Sequence, residues 1–330
     1  MLNIAIMVVD RCHGSGVNTV LDTLTTANYL NQQYLNNSHQ FCQFEMLGKQ
    51  QYATAYNGQR IGPLKRLTDA ERPDILILPG IVEAVLSTSH IQSILEKYKN
   101  WYPKLREWHA AGTVIAACCS SNLLVAAIGL AKGRPLTCHW ATEPAVKALF
   151  PNENFQTRKM IFDHGDIVSM GGATSIGQMM LHLIERFGNR ELSMLTAKML
   201  LIDPERGEQA PFALFSPNKK HQDDLVLEVQ AWLEEHYQDK LNVTDMGDTW
   251  NISERQLSRR FKKATGETTG NYLQALRLEH VKRGLESSGS AFNNIIWDAG
   301  YEDVSSFRRL FKRETSMTMK EYRQRFGRAA

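Results

Sequence analysis

Long apolar runs are absent from this 330-residue sequence. None approaches the ~18–20 residues that cross a bilayer, so no membrane span is expected. The opening apolar stretch Leu2–Val9 has no basic residues before it and no small-residue cleavage site after it, and it reads as a first β-strand rather than a leader. Cysteine is scarce. The five residues Cys12, Cys42, Cys118, Cys119 and Cys138 are an odd number without CxxC spacing. That argues against a disulfide scaffold and a zinc site, and it predicts free thiols, a cytoplasmic location, no metal and no cofactor. An excess of one charge is also missing, since the net charge is only +3. With 43% hydrophobic and 22% charged residues, the composition excludes a disordered chain.

The charge is unevenly spread. From Asn251 onward there are 16 Lys or Arg against nine Asp or Glu, so the preceding 250 residues are slightly acidic. A basic carboxyl-terminal third on a near-neutral chain is the electrostatic footprint of a backbone-phosphate contact. The length calls for two domains and a linker. Residues 1–202 alternate strand-like and helix-like segments: Asn3–Val9, Phe41–Leu47, Asp74–Leu78, Thr113–Cys118 and Ile167–Met170 as strands, and Val17–Tyr34, Ile91–Trp108, Ser120–Ile128 and Ile176–Leu200 as helices, the last interrupted near Gly188-Asn189. Short apolar strands separated by helices predict an α/β, doubly wound parallel sheet covered on both faces. Residues 203–223 contain Pro204, Pro211 and Pro217 and lack periodicity, which predicts a linker. Residues 224–328 then read as all-α: Leu225–Tyr237, Thr244–Trp250, Glu254–Ala264, Gly270–Glu286, Phe292–Trp297, Val304–Thr315 and Lys320–Phe326.

The helical third repeats itself. Phe261-Lys262-Lys263-Ala264-Thr265 returns 50 residues later as Phe311-Lys312-Arg313-Glu314-Thr315, and Leu257, Arg259 and Tyr272 return as Phe307, Arg309 and Tyr322. One helical unit is therefore used twice. Each copy has the parts of a helix-turn-helix: Asn251 or Gly300 for a left-handed turn, then Ser253 or Asp303 as a cap. Leu257, Phe261 and Ala264 share one face of the first unit's second helix, and Phe307, Leu310 and Phe311 share one face of its counterpart. The opposite faces offer Ser253, Arg255, Gln256, Ser258, Arg259 and Lys262, and Ser305, Ser306, Arg308, Arg309 and Lys312. Guanidinium groups pair bidentately with guanine, Gln with adenine, and Ser reaches phosphate, so double-stranded DNA is the predicted partner. Held apart by a helix over Tyr272–Leu285, the two units would enter successive major grooves about 34 Å apart. Solvated basic faces on an ordinary bundle are the alternative, and that alternative needs the coincidence of turn, cap and basic face to occur twice.

These residues resemble the AraC/XylS family of transcriptional regulators over about 224–326, through the runs ERQLSRRFKKATG, YLQALRLEHVKRGLESS and DAGYEDVSSFRRLFKRETSMTMKEYRQRF. The resemblance implies a seven-helix reader with recognition helices at Ser253–Lys263 and Asp303–Arg313. Asn251 stands where the family's turn has Gly, Thr269 and Met319 where Pro is common, and Ser316 where Gly is common. Trp250 replaces a small residue and must displace its neighbours.

In the first domain, Thr113-Val-Ile-Ala-Ala-Cys-Cys-Ser-Ser followed by a helix has the logic of a nucleophile elbow, in which helix amides and dipole face one side chain. Cys119 is the candidate, expected to ionise more readily than a free thiol, with Cys118 pointing back into the sheet and His139 as a neighbour. A small buried cysteine and a packed histidine are the alternative. Residues 1–200 also resemble the PfpI-like branch of the class I glutamine-amidotransferase-like superfamily, with a flavodoxin-like sheet, through NIAIMVVD, PDILILPG, VIAACCSSNLLVAAIGLAKGRPLTCHW and DIVSMGGATSIGQMMLHLIERFG. The resemblance puts the family's nucleophile on Cys119 and its histidine on His139. It also shows departures: Ile81 and Ser121 replace glycines, no acidic residue lies within Arg11–Asn18, and Trp140-Ala141 offers no carboxylate to His139. Acyl transfer needs oxyanion donors and an oriented base, so Cys119 reads as a vestigial nucleophile position and the chain as no enzyme. The expected pocket lies at the carboxyl ends of the strands and is lined by Asp10, Arg11, His13, Gly80, Ile81, Cys119, Ser120, His139 and Trp140. There Arg11 would hold a carboxylate and Trp140 a cationic nitrogen. By this resemblance the small-molecule effector is an amino acid or methylated amine, the chain is a homodimer, and RNA polymerase is a further contact. The competing functions are a Cys-dependent amidase or glyoxalase-like enzyme, and a redox sensor acting through Cys119.

Overall fold

The computed structural model describes residues 1–82, 88–205, 207–215, 217–241, 246 and 249–327. It divides into two units, Met1–Gln209 and Ala210–Ala330.

The first unit runs β1 (Leu2–Met7), α1 (Gly14–Gln33), β2 (Cys42–Gly48), β3 (Ala53–Thr54), β4 (Arg60–Ile61), β5 (Lys65–Arg66), β6 (Ile75–Leu78), α2 (Thr88–Lys97), α3 (Tyr102–Ala110), β7 (Val114–Cys118), α4 (Asn122–Ile128), α5 (Glu143–Leu149), β8 (Ile161–Asp163), β9 (Ile167–Met170), α6 (Ile176–Phe187) and α7 (Arg190–Leu200). Seven strands form one sheet in the order β5-β2-β1-β6-β7-β9-β8. All neighbours are parallel except β8, which closes the edge antiparallel to β9. Every residue of β6 and β7 is buried, as befits central strands with helices on both faces. From β1 the chain first builds outward to β2 and later returns to β6 on the other side of β1. The carboxyl ends of β1 and β6 therefore mark the sheet's topological switch point, the usual ligand position in such folds.

The helix expected over Ile91–Trp108 is two helices, broken by a 3-10 turn at Lys99–Trp101. Pro103 sits in the first turn of α3, where its missing N–H costs nothing. The break expected near Gly188-Asn189 is a cap: Asn189 accepts from the Leu192 N–H. The β3–β4 hairpin, β5, β8 and α5 carried too few residues to leave a period in the sequence.

The second unit contains α8 (Asp224–His236), α9 (Glu254–Thr265), α10 (Thr269–Ser287), α11 (Phe292–Asp298), α12 (Val304–Thr315) and α13 (Met319–Phe326). The helix expected over Thr244–Trp250 lies mostly outside the described residues, although Met246 is buried. The 50-residue repeat is structural as well as sequential. Thr268 and Thr318 cap α10 and α13, and Thr265 and Thr315 donate back to Phe261 O and Phe311 O. The Phe261 and Tyr272 rings meet edge-on at 5.3 Å, as the Phe311 and Tyr322 rings do at 5.4 Å. Tyr272 OH donates to Glu234 and Tyr322 OH to Glu286. The long α10 serves both cores, with Tyr272 in the first and Val281 and Leu285 in the second.

The stretch expected to be a 203–223 linker is not a loose tether. Gln209 is buried in the first unit, whereas Phe215 packs edge-on to Tyr272 and Lys282 Nζ donates to Ala213 O within the second. Its proline content marks missing periodicity, not missing packing.

Candidate functional site

The two helix-turn-helix turns differ by one residue. Asn251 takes the left-handed conformation (φ 51°) two residues before the cap Ser253, and Gly300 takes it (φ 79°) three residues before the cap Asp303. Ser253 Oγ accepts from the Gln256 N–H, and Gln256 Oε1 accepts in return from the Ser253 N–H, which completes a capping box. Asp303 accepts from the Ser305 and Ser306 N–H groups at 2.9 and 3.0 Å, and the Ser306 hydrogen bonds hold its carboxyl below the usual range. Leu257, Phe261, Phe307, Leu310 and Phe311 are buried, and Ala264 is half-buried.

Of the residues assigned to DNA, Ser253, Arg255, Gln256, Arg259, Lys262, Ser305, Ser306, Arg308, Arg309 and Lys312 are exposed, and Ser258 is half-buried. Several already have partners. Gln256 is folded back into its cap rather than extended toward a base. Arg308 donates to Asn293 Oδ1 at 3.0 Å, and Arg309 donates to Ser306 Oγ at 2.7 Å. Arg260, which the sequence left off the reading face, reaches both oxygens of Asp223 and ties α9 to the start of α8. Trp250 packs half-buried against the core of the first helix-turn-helix, edge-on to Trp232 at 5.6 Å. It borders a groove of about 870 Å³ beside Asn251, Ile252, Arg259 and Lys263.

Several loops of the first unit meet at the switch point. The His13 N–H donates to Gly80 O, Cys12 bridges to Ile81, and the Tyr56 N–H donates to Cys12 O. Cys119 has φ 58°, the strained backbone of an elbow, and packs against Gly80. The chemistry around it differs from that of a nucleophile. Burial pushes the Cys119 thiol up to about 11, contrary to the expected easy ionisation; it lies 2% exposed, and burial outweighs the hydrogen bonds from Ser120. Cys118 turns away as expected, donating to Gly172 O at 3.3 Å. Ser120 Oγ accepts the Ile81 N–H at 2.9 Å and donates to Ile81 O at 2.6 Å, so an amide that could face an oxyanion is already spent. Ser121 Oγ lies against the carbonyls of Leu78, Pro79 and Cys118, filling the place where a glycine was expected.

His139 Nδ1 accepts the Ala141 N–H at 3.1 Å. That bond assigns the ring proton of the neutral form to Nε2, leaving no lone pair there to take a proton from a thiol. Burial, and next the charge of His13, lower the His139 pKa, and burial lowers that of His13. Both rings are thus neutral near pH 7. Trp140 lies 5.3 Å from the His139 ring. Two assigned residues are drawn off elsewhere. Asp10 pairs with Lys97 at 2.8 Å, and Arg11 lies over the Tyr56 ring at 4.8 Å on the exposed side. His13, Gly80, Ile81, Cys119, Ser120 and His139 form the centre. Tyr56 and Lys97 were missed because no local signal in the sequence connects them to Arg11 or Asp10.

A parallel sheet with an elbow cysteine after its central strand precedes a helical unit built twice around helix-turn-helix turns, the architecture of a DNA-binding regulator with an additional α/β domain. A helix-turn-helix domain family matches residues 246–325. Over 329 residues the chain is 23% identical to the HTH-type transcriptional regulator GbdR of Pseudomonas aeruginosa, spanning 98% of this chain and 84% of that protein. Over 229 residues it is 28% identical to the HTH-type transcriptional regulator GlxA of Rhizobium meliloti, spanning 68% and 69%. The crystal structure of Drosophila melanogaster DJ-1beta superposes on 61% of the chain and 98% of its own length with a TM-score of 0.50 at 18% identity, which speaks to fold alone. The chain is a DNA-binding transcription regulator with a helix-turn-helix domain at 246–325 and an amino-terminal domain of DJ-1-like fold. Among the described residues no helix is long and apolar enough to cross a membrane.

Proposed function

We propose that the first unit senses a small metabolite at the carboxyl ends of its strands, beside the joined β1 and β6 loops, and that occupancy alters how the second unit's two recognition helices engage double-stranded DNA. The observation that carries this reading is an elbow without its machinery. Cys119 keeps the strained backbone, while the Ile81 amide is bonded to Ser120 and the His139 Nδ1 to a backbone amide. A pocket relieved of catalysis is available for binding, and this supports the chain being no enzyme. Neutral His13 and His139 offer hydrogen bonds without fixed charge, and Trp140 offers a ring face for a cationic nitrogen, so an amino acid or methylated amine fits best. A homodimer on paired half-sites, with contact to RNA polymerase, is the arrangement this regulator would use in the cytoplasm. Base reading falls to Arg255, Arg259, Arg308 and Arg309, with Ser253, Ser305 and Ser306 near phosphate. A redox sensor is disfavoured by the raised Cys119 pKa, because oxidation starts from the thiolate.

The test is a thermal-shift series on the full chain with amino acids and quaternary amines. An effector present at 100 times its Kd adds about 2.7 kcal/mol to stability. A shift without product formation supports sensing. Product formation that disappears in Cys119→Ala would overturn it in favour of an enzyme.

A further inference from the structure

Gln209 is 2% exposed, although most of the described residues just before it lie at the surface. Its N–H donates to Arg158 O at 3.1 Å. Its side-chain nitrogen lies 2.9 to 3.0 Å from four oxygens: Cys138 O, Thr157 O, Lys159 O and Thr137 Oγ1. A carboxamide has two hydrogens, so the four acceptors compete for them. Rotating the amide would set its oxygen against three carbonyls, which fixes the orientation. Oε1 is then buried with no partner. The neighbouring Glu208 accepts from Lys159 Nζ at 2.6 Å. Gly171 leaves the space, since a Cβ there would collide with the Gln209 amide and stand 2.9 Å from Thr137 Oγ1.

The Cys138–His139 peptide is shared between this anchorage and the switch-point loops. Cys138 O accepts from Gln209, while the His139 ring lies within electrostatic reach of His13, and Thr142 Oγ1 donates to His139 O at 2.6 Å. Gln209 is also the last residue of the first unit, followed directly by the first residue of the second.

We propose that Gln209 is a positioning residue that latches the chain leaving the first unit to the loop segment carrying His139. With the amide seated, Thr137–His139 is held and the exit chain has no slack. A shift of Thr137–His139 unseats the amide and frees the chain at Glu208 and Gln209. The unpartnered Oε1 leaves the seated state poised, because water would supply the bond it lacks. The trigger rests on the effector reading above; the latch itself does not.

The test uses the full chain and no effector. Gln209→Ala and Gly171→Ala unseat the latch from opposite sides, Gln209→Met keeps its volume without its hydrogen bonds, and His139→Ala perturbs the end nearest the switch point. Hydrogen exchange is followed by mass spectrometry. All four variants are expected to speed exchange in 204–209 by about tenfold or more while β1 and β6 keep their protection. The three latch variants should also speed exchange in 137–142. Unchanged exchange in 204–209 for His139→Ala, together with unchanged 137–142 for the latch variants, overturns the coupling. Loss of protection across the sheet in every latch variant, Gln209→Met included, also overturns it and makes Gln209 a packing residue. A failed effector screen alongside coupled exchange refutes sensing but leaves the latch intact.

Discussion

Gly300→Ala tests the second helix-turn-helix turn quantitatively. Gly300 holds φ 79°, and a Cβ on it would collide with Gln238 O and stand 2.8 and 3.0 Å from the Gln238 C and Cα atoms. The left-handed conformation costs a residue with a Cβ about 1–2 kcal/mol. Overpacking against backbone that cannot rotate away adds about 1–3 kcal/mol, for a total of about 2–5. Gly266→Ala is the control, since Gly266 has φ 85° with nothing within 4 Å of the added carbon and should pay only the first part. The difference of about 1–3 kcal/mol is a factor of about 5–150 in the unfolding constant of this unit. It is read by urea titration with hydrogen exchange on peptides from α10–α13, which separates this unit from the sheet. Equal costs for the two variants would mean that the turn does not press against the end of α8, and the packing described for the second unit would be wrong.

Other consequences follow from the same contacts. Ser316 holds φ 58° where its repeat partner is Gly266, so Ser316→Gly should stabilise the second unit by about 0.5–1 kcal/mol, measured by the same titration. The buried Cys119 thiol should react with iodoacetamide at pH 7.5 roughly a hundredfold more slowly than a free cysteine peptide, with a rate still rising above pH 9; a plateau near pH 7 would restore a nucleophile. Asp166 is held at about 2, first by its hydrogen bond from Arg134 and then by His109. Its folded pKa is below the unfolded value, so its contribution is present above about pH 4 and is lost as pH falls toward 2. Asp166→Asn should flatten the acid limb of the first unit's stability curve between those values, and an unchanged limb would remove the ion pair from the fold's support. Burial, then the Glu234 and Glu286 hydrogen bonds, raise Tyr272 and Tyr322 above their usual value, so their contribution is present up to about pH 10 and falls above it. Replacing both by Phe should flatten the second unit's alkaline limb, and a limb of unchanged slope would count against those bonds.

Much of the fold was legible because its signals are local. β6 and β7 are unbroken apolar runs, and the helix-turn-helix copies declare themselves through Ser253 and Asp303 ahead of Leu257 and Phe307. What escaped depends on partners far apart in sequence. The Asp10–Lys97 pair and the Arg11–Tyr56 contact draw two expected pocket residues aside, and nothing near either residue announces it. The two-residue strands β3 and β4 carry no period. Cys119 was legible as an elbow, because strand, turn and helix are contiguous. Its ionisation was not, because desolvation depends on how the surrounding loops close. Gln256 looked like a base reader by chemistry, yet its spacing from Ser253 equally fits a capping box, and the hydrogen bonds favour the box.

The most direct measurement of the DNA assignment is binding of the full chain to a duplex selected from random sequences, compared with an unselected duplex at one salt concentration. Arg259→Ala and Arg309→Ala should each weaken the selected complex by about 5–150-fold, the value of one lost bidentate base contact, and weaken the unselected complex far less. Equal losses on both duplexes, or no loss on either, would contradict two recognition helices reading bases through those guanidinium groups.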